Sequence, residues 1–277
     1  DPMALSDMLY ALALQTNVDA QIAGRDARSL PAWASTHPDP AQRVTRAQNI
    51  AQSYAAGGVR NRDAYLAKID GLMYGDDPEQ GVIEGNRFLY PPSRLQFSVP
   101  SGYTMQNGPT VGISGSGGQA QFVGASSSAS LDSHISTVWQ GLGANQARGQ
   151  TQTTTVNGIP AAYSITRVNT QSGQVDATIF AYKWDSNTIY HFVALSTPGS
   201  NPFNSLFSSV SRMSAAEAAA VKPRRIDVVT VRSGDTGASL ASRMAYSDFK
   251  EARFRALNGL SGSAALSAGQ KVKIVTY

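Results

Sequence analysis

The chain has 277 residues, 42% of them hydrophobic and 15% charged, with a formal net charge of +4 and no cysteine. That length predicts two or three domains. The absence of thiols excludes disulfides, thiolate zinc sites and thiol nucleophiles, and a mild charge whose densest cluster is Lys222, Arg224 and Arg225 excludes a nucleic-acid surface.

Residues 3–16 read as a helix, with Asp1 as N-cap, Pro2 as the first helical residue, and Leu5, Met8, Leu9 and Leu12 as an apolar stripe. The opening Asp1-Pro2-Met3-Ala4 has no initiator Met and no signal peptide, and is read as the start of a segment inside a longer protein. A polar loop runs from Gly24 to His37. A second helix opens at Asp39-Pro40, carries Val44, Ala47, Ile50 and Ala51 on one face, and ends at Gly57-Gly58. A third helix spans about Arg62 to Leu72, and Gly75-Asp76-Asp77-Pro78 breaks the chain.

From Phe88 the period changes to two. Phe88/Tyr90 and Leu95/Phe97/Val99 alternate as strand residues do, and further strands are predicted at 109–114, 119–125, 152–156, 159–169, 174–184 and 187–196. Asn157-Gly158 is a hairpin turn signal, and Asp185-Ser186-Asn187 turns a second hairpin. One helix, about 130–143, interrupts the strands with Leu131, Ile135, Val138 and Leu142 on one stripe, and a helix at about 202–212 closes the region. A sheet covered on one side by helices is expected. Ala215–Val221 is a short Ala-rich helix, and Lys222-Pro223-Arg224-Arg225 a linker. The end reads strand 226–231, helix 236–244, helix 249–257 and strand 271–276. No apolar run approaches the roughly 18 residues of a membrane-spanning helix.

Three histidines are present, His37, His134 and His191, and no HExxH. A catalytic zinc usually needs three protein ligands, and no local set supplies them. His134 falls one residue before the apolar stripe and His191 lies between Tyr190 and Phe192; both read as structural. Gly115-Ser116-Gly117-Gly118-Gln119-Ala120 matches a dinucleotide fingerprint in letters, but a strand follows it where the phosphate-binding helix belongs. The few acids of the middle region, Asp132, Asp176 and Asp185, show no pair suited to glycoside hydrolysis, so an independent hydrolase is the least favoured reading.

Two stretches resemble known families. Ser35-Thr36-His37-Pro38 followed by Arg43, with Trp33 and Tyr74-Gly75-Asp76-Asp77-Pro78-Glu79-Gln80-Gly81, is similar to HExxH zinc metallopeptidases of the HtpX and BepA kind. The resemblance implies a zinc metalloendopeptidase parent in the periplasm or cell envelope. His37 would be an accessory or regulatory residue near its zinc, a possible ligand only in the full protein. This chain alone would be non-catalytic and hold no cofactor, because the HExxH helix would lie upstream. Val231-Arg232-Ser233-Gly234-Asp235-Thr236, Leu240-Ala241, Leu257-Asn258-Gly259-Leu260, Leu266 and Gly269-Gln270-Lys271-Val272-Lys273-Ile274 resemble LysM from end to end. LysM domains bind N-acetylglucosamine-containing glycans in a shallow groove. Carried over, its walls are Gly234, Asp235, Thr236 and Gly237 on one side and Leu260, Ser261 and Gly262 on the other. Gly237 departs from the family, which usually has an aliphatic residue there. Phe97-Ser98-Val99-Pro100-Ser101-Gly102 and Asn157-Gly158-Ile159-Pro160-Ala161 are similar to the small α+β domains related to PsbP and Mog1, and this likeness implies no site.

The expected architecture is α+β and multidomain. It comprises a helical metallopeptidase tail with the STHP loop over 1–85, a central antiparallel-sheet α+β domain over 87–213, a linker over 214–225 and a βααβ LysM-like domain over 226–277. The expected role is to position or regulate the protease, with the catalytic domain of the same protein and peptidoglycan as partners. The alternative is a structural tail that packs on the protease without binding glycan.

Overall fold

A computed structural model describes residues 1–22, 24, 40–55, 57–143, 149–171, 173–262 and 264–277. The chain forms two compact units, one made of residues 1–75 with 223–277, the other of residues 76–222. The protein is α+β, with antiparallel sheets in both units.

In the first unit the C-terminal stretch is a βααβ module, made of β12 (Arg225–Thr230), α7 (Gly237–Ser242), α8 (Lys250–Asn258) and β13 (Lys271–Thr276). The strands pair antiparallel from Arg225 opposite Thr276 to Thr230 opposite Lys271. Val272, Ile274 and Val275 of β13 are buried in one core with Leu240, Ala241, Met244 and Phe254 from the helices, and Tyr74 joins it from the N-terminal side. Residues just before Gly75 line the other side of β12: Gly71 N–H donates to Ile226 O at 2.8 Å, Ile226 N–H to Leu72 O at 2.9 Å, and Tyr74 N–H to Arg224 O at 2.8 Å. Asp70 Oδ1 accepts the Val228 N–H at 2.9 Å. An edge that would otherwise present unpaired backbone groups is thereby covered.

Three helices precede it. The first, α1 (Ala4–Ile22), runs a turn and a half beyond its predicted end and packs on α2 (Pro40–Ala51) and on α8. Its start follows expectation, since Asp1 Oδ1 accepts the Met3 N–H at 2.9 Å. Its buried face does not: Ser6, Leu9 and Val18 are buried, while Leu5, Met8 and Leu12 are 56%, 52% and 55% exposed. Only Leu9 of the predicted stripe is covered. In α2 the alanines 47 and 51 are buried and Ile50 points outward. The short α3 (Arg62–Ile69) buries Leu66 and reaches β13, where Arg62 donates to Lys271 O at 2.7 Å.

The second unit holds two sheets. One has four strands, β1 (Val82–Glu84), β2 (Arg87–Tyr90), β3 (Leu95–Ser98) and β11 (Ser211–Arg212). The other comprises β4 (Thr104–Gln106), β5 (Val111–Gly115), β6 (Gly118–Ser126), β7 (Gln152–Val156), β8 (Ile159–Thr170), β9 (Gly173–Lys183) and β10 (Thr188–Ser196), in the order β4-β5-β6-β10-β9-β8-β7. Asn157 and Gly158 take φ of 48° and 77°, the two positive values a tight hairpin between β7 and β8 needs. The large sheet is covered on both faces, not on one as expected. On one face α4 (Leu131–Gly141) seats Ile135 and Trp139 on Ala162, Ala177, Ile179, Ala181 and Ile189. On the other, the small sheet and α5 (Asn204–Ser209) build an aromatic core in which Phe97 lies 4.9 Å from Phe122 and 5.2 Å from Phe192. This is why β9 and β10 read as nearly continuous apolar runs, since a strand buried on both faces has no polar side to alternate with. The predicted helix at 202–212 is shorter: after α5 the chain becomes extended at Val210 and pairs Ser211 and Arg212 with β3. A last short helix, α6 (Ala215–Ala220), carries a capping box between Ser214 and Glu217. Among the described residues no helix is long and apolar enough to cross a membrane.

Candidate functional site

The loop after β12 is shaped by three local devices. Arg232 N–H donates to Asp235 Oδ2 at 2.7 Å, and Asp235 N–H returns to Arg232 O at 3.1 Å. The turn so closed puts Gly234 at φ 90°, a conformation that glycine adopts without strain. Thr236 then caps α7: its Oγ1 accepts the Ser239 N–H at 3.0 Å, while Ser239 Oγ accepts the Thr236 N–H at 2.9 Å. Asp235 therefore fastens the turn and Thr236 fastens the helix, so both ends of the first predicted wall are held by hydrogen bonds.

The facing segment leaves α8 through Gly259, at φ 62°. Gly259 N–H donates to Ala256 O at 3.1 Å and Leu260 N–H to Arg255 O at 2.9 Å, the bonding of a helix stopped by a left-handed glycine. Leu260 leans on the core, while Ser261 and Gly262 are exposed. Asn258 ties this end to the sheet. Its side chain accepts from Lys273 N at 2.8 Å, donates to Lys273 O at 2.8 Å and donates to Phe254 O at 2.9 Å. It thus imitates a neighbouring strand along the outer edge of β13. Asn258→Ala is expected to cost about 2–3 kcal/mol, because two partly buried backbone groups lose their partners. Urea unfolding of the variant beside the wild type measures it, and an unchanged midpoint would show the amide to be dispensable.

Arg255 borders the first of these loops. A Cβ built on Gly237 would meet Arg255 Nη2 at 3.4 Å, Phe254 Cε1 at 3.7 Å and Arg255 Cζ at 3.8 Å. The space of the absent side chain is thus bordered by a guanidinium. Arg255 Nε and Nη2 both reach Glu251 Oε1, at 3.0 and 2.9 Å, and Nη1 is buried with no hydrogen-bond partner in the protein. Sequence reading passed over Arg255, because nothing in its local spacing distinguishes it from a solvated helix cation.

His37 and its neighbours Ser35, Thr36 and Pro38 lie outside the described residues, as does Trp33. His134 and His191, taken separately from the sequence, meet: His134 Nε2 lies 3.2 Å from His191 Nδ1, and both side chains are 7% exposed. Burial lowers both pKa values, helped at His134 by Lys183 and at His191, lowered to about 4, by His134. Among the described residues no three His, Cys, Asp or Glu side chains gather as metal ligands would. The three acids singled out in the middle region, Asp132, Asp176 and Asp185, each serve local structure. Asp176 pairs with Arg167 at 2.7 Å and accepts Gly199 N–H at 2.6 Å, which holds its carboxyl below the usual range. Asp185 accepts Asn187 N–H at 2.8 Å, and Asp132 binds Thr151 at 2.5 Å. The run Gly115–Gly118 is explained by packing: a Cβ on Gly115 would stand 2.6 Å from the Tyr103 ring, and one on Gly118 would strike the Leu195 carbonyl.

Comparison with known proteins assigns the C-terminal module a class: residues 229–275 match the LysM domain. The chain therefore carries a LysM domain at its C-terminal end, in the region where the βααβ fold and the two loops have just been described. No curated protein matches the chain. Among solved structures, a Bacteroides thetaiotaomicron protein is 13% identical with a TM-score of 0.36, covering 54% of this chain, and the match spans only 55% of that protein. The cyanobacterial PsbP of Synechocystis is 10% identical with a TM-score of 0.35, over 46% of this chain and 91% of that one.

Proposed function

We propose that this chain is a non-catalytic binding and positioning module of the bacterial cell envelope that attaches to peptidoglycan through its LysM domain. The single observation that carries the reading is the LysM match at 229–275 on a complete βααβ module. The loops Gly234–Gly237 and Leu260–Gly262 form the glycan groove. The finer reading is that the module belongs to a periplasmic zinc metalloprotease of the HtpX/BepA kind and orients its catalytic domain on the cell wall. The STHP segment supports it. On that reading zinc sits in the catalytic domain, with His37 as an accessory group beside it. The histidines and acids of the described residues do not gather as ligands of that metal would.

Co-sedimentation of the full chain with insoluble peptidoglycan tests the core of the proposal. The wild type should pellet with the wall, and Ser261→Glu, an exposed change on one groove wall, should weaken binding by about tenfold by setting a charge and an unmatched bulk against the sugar. A wild type that stays in the supernatant sinks the reading. A second reading, a structural tail that packs on the protease, is favoured by one feature: the residue 70–74 segment is hydrogen-bonded along β12, so the LysM domain is built into the N-terminal helices.

A further inference from the structure

Among the described residues six strands end a sheet: β1, β11, β4, β7, β12 and β13. A terminal strand presents unpaired N–H and C=O groups, and proteins blunt such edges by shortness, charge or cover. Five of the six are managed in this way. β1 and β4 have three residues each, and β11 has two. β12 is lined by residues 71–74. β13 is met by Arg62 at Lys271 O, by Asn258 at Lys273 and by the Ala245 N–H at Val275 O. β7 is the exception. It has five residues, Gln152-Thr153-Thr154-Thr155-Val156, with no charge, proline or glycine among them. Gln152 to Thr155 are exposed in unbroken succession, so neither face of the strand is covered there.

The hairpin register decides which groups face outward. The Asn157-Gly158 turn closes on Val156 and Ile159, and hydrogen-bonded pairs alternate along an antiparallel ladder. Val156–Ile159, Thr154–Ala161 and Gln152–Tyr163 are then the bonded pairs. Thr155 stands opposite Pro160, which has no N–H to give and fits an unbonded position. Thr153 and Thr155 therefore turn their N–H and C=O away from β8, and among the described residues no backbone hydrogen bond reaches them from outside the hairpin.

We propose that β7 is a self-association edge, which pairs antiparallel with β7 of a second copy of this chain about a two-fold axis through Thr154. The strand is its own complement in that register. Thr153 faces the partner's Thr155 on either side of the axis, each such pair exchanging both backbone bonds, and Thr154 faces the partner's Thr154 between them. Threonine pairs are favourable across strands, and no like charges meet. This symmetry favours a second copy over an unrelated extended peptide. The contact is small, so the pair is weak, with a Kd on the order of 100 μM. On the glycan-binding reading, a pair attaches to the wall through two LysM domains, which raises avidity without a new contact. The pairing itself does not depend on that reading.

The chain has no cysteine, so one introduced thiol reports on the axis. Thr154→Cys sets two thiols at an unbonded antiparallel pair, with Cα atoms about 4.5 Å apart and within disulfide range. Under mild oxidation of the full chain it should form a covalent dimer about tenfold faster than Gln152→Cys, whose two copies lie about 14 Å out of register along the strand. In the wild type, amide exchange at Thr153 and Thr155 should slow as the concentration rises from about 20 μM to about 1 mM. Thr154→Lys, which puts two ammonium groups face to face, should weaken the association by about tenfold in sedimentation equilibrium. Thermal melts check that these exposed substitutions leave the fold intact. Equal rates of disulfide formation in the two cysteine variants overturn the proposal, as do Thr153 and Thr155 amides that exchange alike at both concentrations. A dimer that Thr154→Lys leaves unchanged overturns it too.

Discussion

Lowering the pH from about 7.5 to about 4.5 is expected to destabilise the unit of residues 76–222 by up to about 3 kcal/mol through one buried pair. His134 Nε2 and His191 Nδ1 lie 3.2 Å apart, so a single proton between them makes a hydrogen bond and a proton on each makes two N–H groups face each other. The pair sits between α4 and the sheet, and Lys183 adds a like charge, its ammonium held on Ser127 O, Ala129 O and Ser186 O. Burial, and at His191 the neighbouring His134, lower both pKa values, His191 from 6.5 to about 4. The sign follows. The folded state binds fewer protons than the unfolded chain between those values, so stability is full above about pH 6.5 and falls as the pH drops towards about 4. Guanidinium unfolding at the two pH values measures the loss, and the double variant His134→Leu with His191→Leu should lose much of the slope. NMR titration of the imidazoles is the direct check. A midpoint at or above about 6.5 for His191 would contradict the burial described here.

That pair marks the limit of what the sequence discloses. The two histidines are 57 positions apart, and only the pairing of β10 with its neighbours and the docking of α4 bring them face to face. The same holds for Arg255 and Gly237, which meet because α7 and α8 cross. By contrast, features fixed by local geometry rest on very few residues. The Thr236 cap, the left-handed Gly234 and Gly259, and the Asn157-Gly158 turn each answer to the φ of one or two residues. The strands β7 to β10 were legible from their Thr, Ile, Val and aromatic content and from the turn residues between them. The strands β1, β4 and β11 were not, because three or two residues are too few to show a period.

Faces are less legible than elements. The helix α1 was expected from its spacing, yet spacing alone cannot say which stripe finds a partner. Leu5, Met8 and Leu12 are spaced as a buried face, and the structure covers Ser6, Leu9 and Val18 instead. The end of α5 fails for a related reason. Phe203, Leu206, Phe207 and Val210 repeat at helical intervals and are all buried, but the extended turn at Val210 carries the chain into the four-stranded sheet. Hydrophobic periodicity reports burial, and two different backbones can satisfy the same burial.

The largest expected effect of a single substitution on the LysM domain falls at Phe254. Its side chain is fully buried, in the core shared by β13, α7 and α8. The ring edge also lies beneath the start of α7, 3.7 Å from where a Cβ on Gly237 would stand. Phe254→Ala removes a complete aromatic ring from a site where neighbours cannot collapse, because Val272, Ile274 and Val275 are held by strand pairing. The expected cost is about 3–5 kcal/mol, a large part of the stability of a small unit. Because Tyr74 packs on the same core and residues 70–74 line β12, the loss reaches the N-terminal side of the unit as well. Chemical unfolding should show the drop, Phe254→Leu should show a smaller one, and peptidoglycan binding should fail first in the alanine variant as temperature rises. Were the alanine variant to keep the wild-type midpoint, the core assigned to this module would be wrong. Were it to lose stability yet retain glycan affinity when folded, the ring would serve the fold alone and binding would depend on the loops.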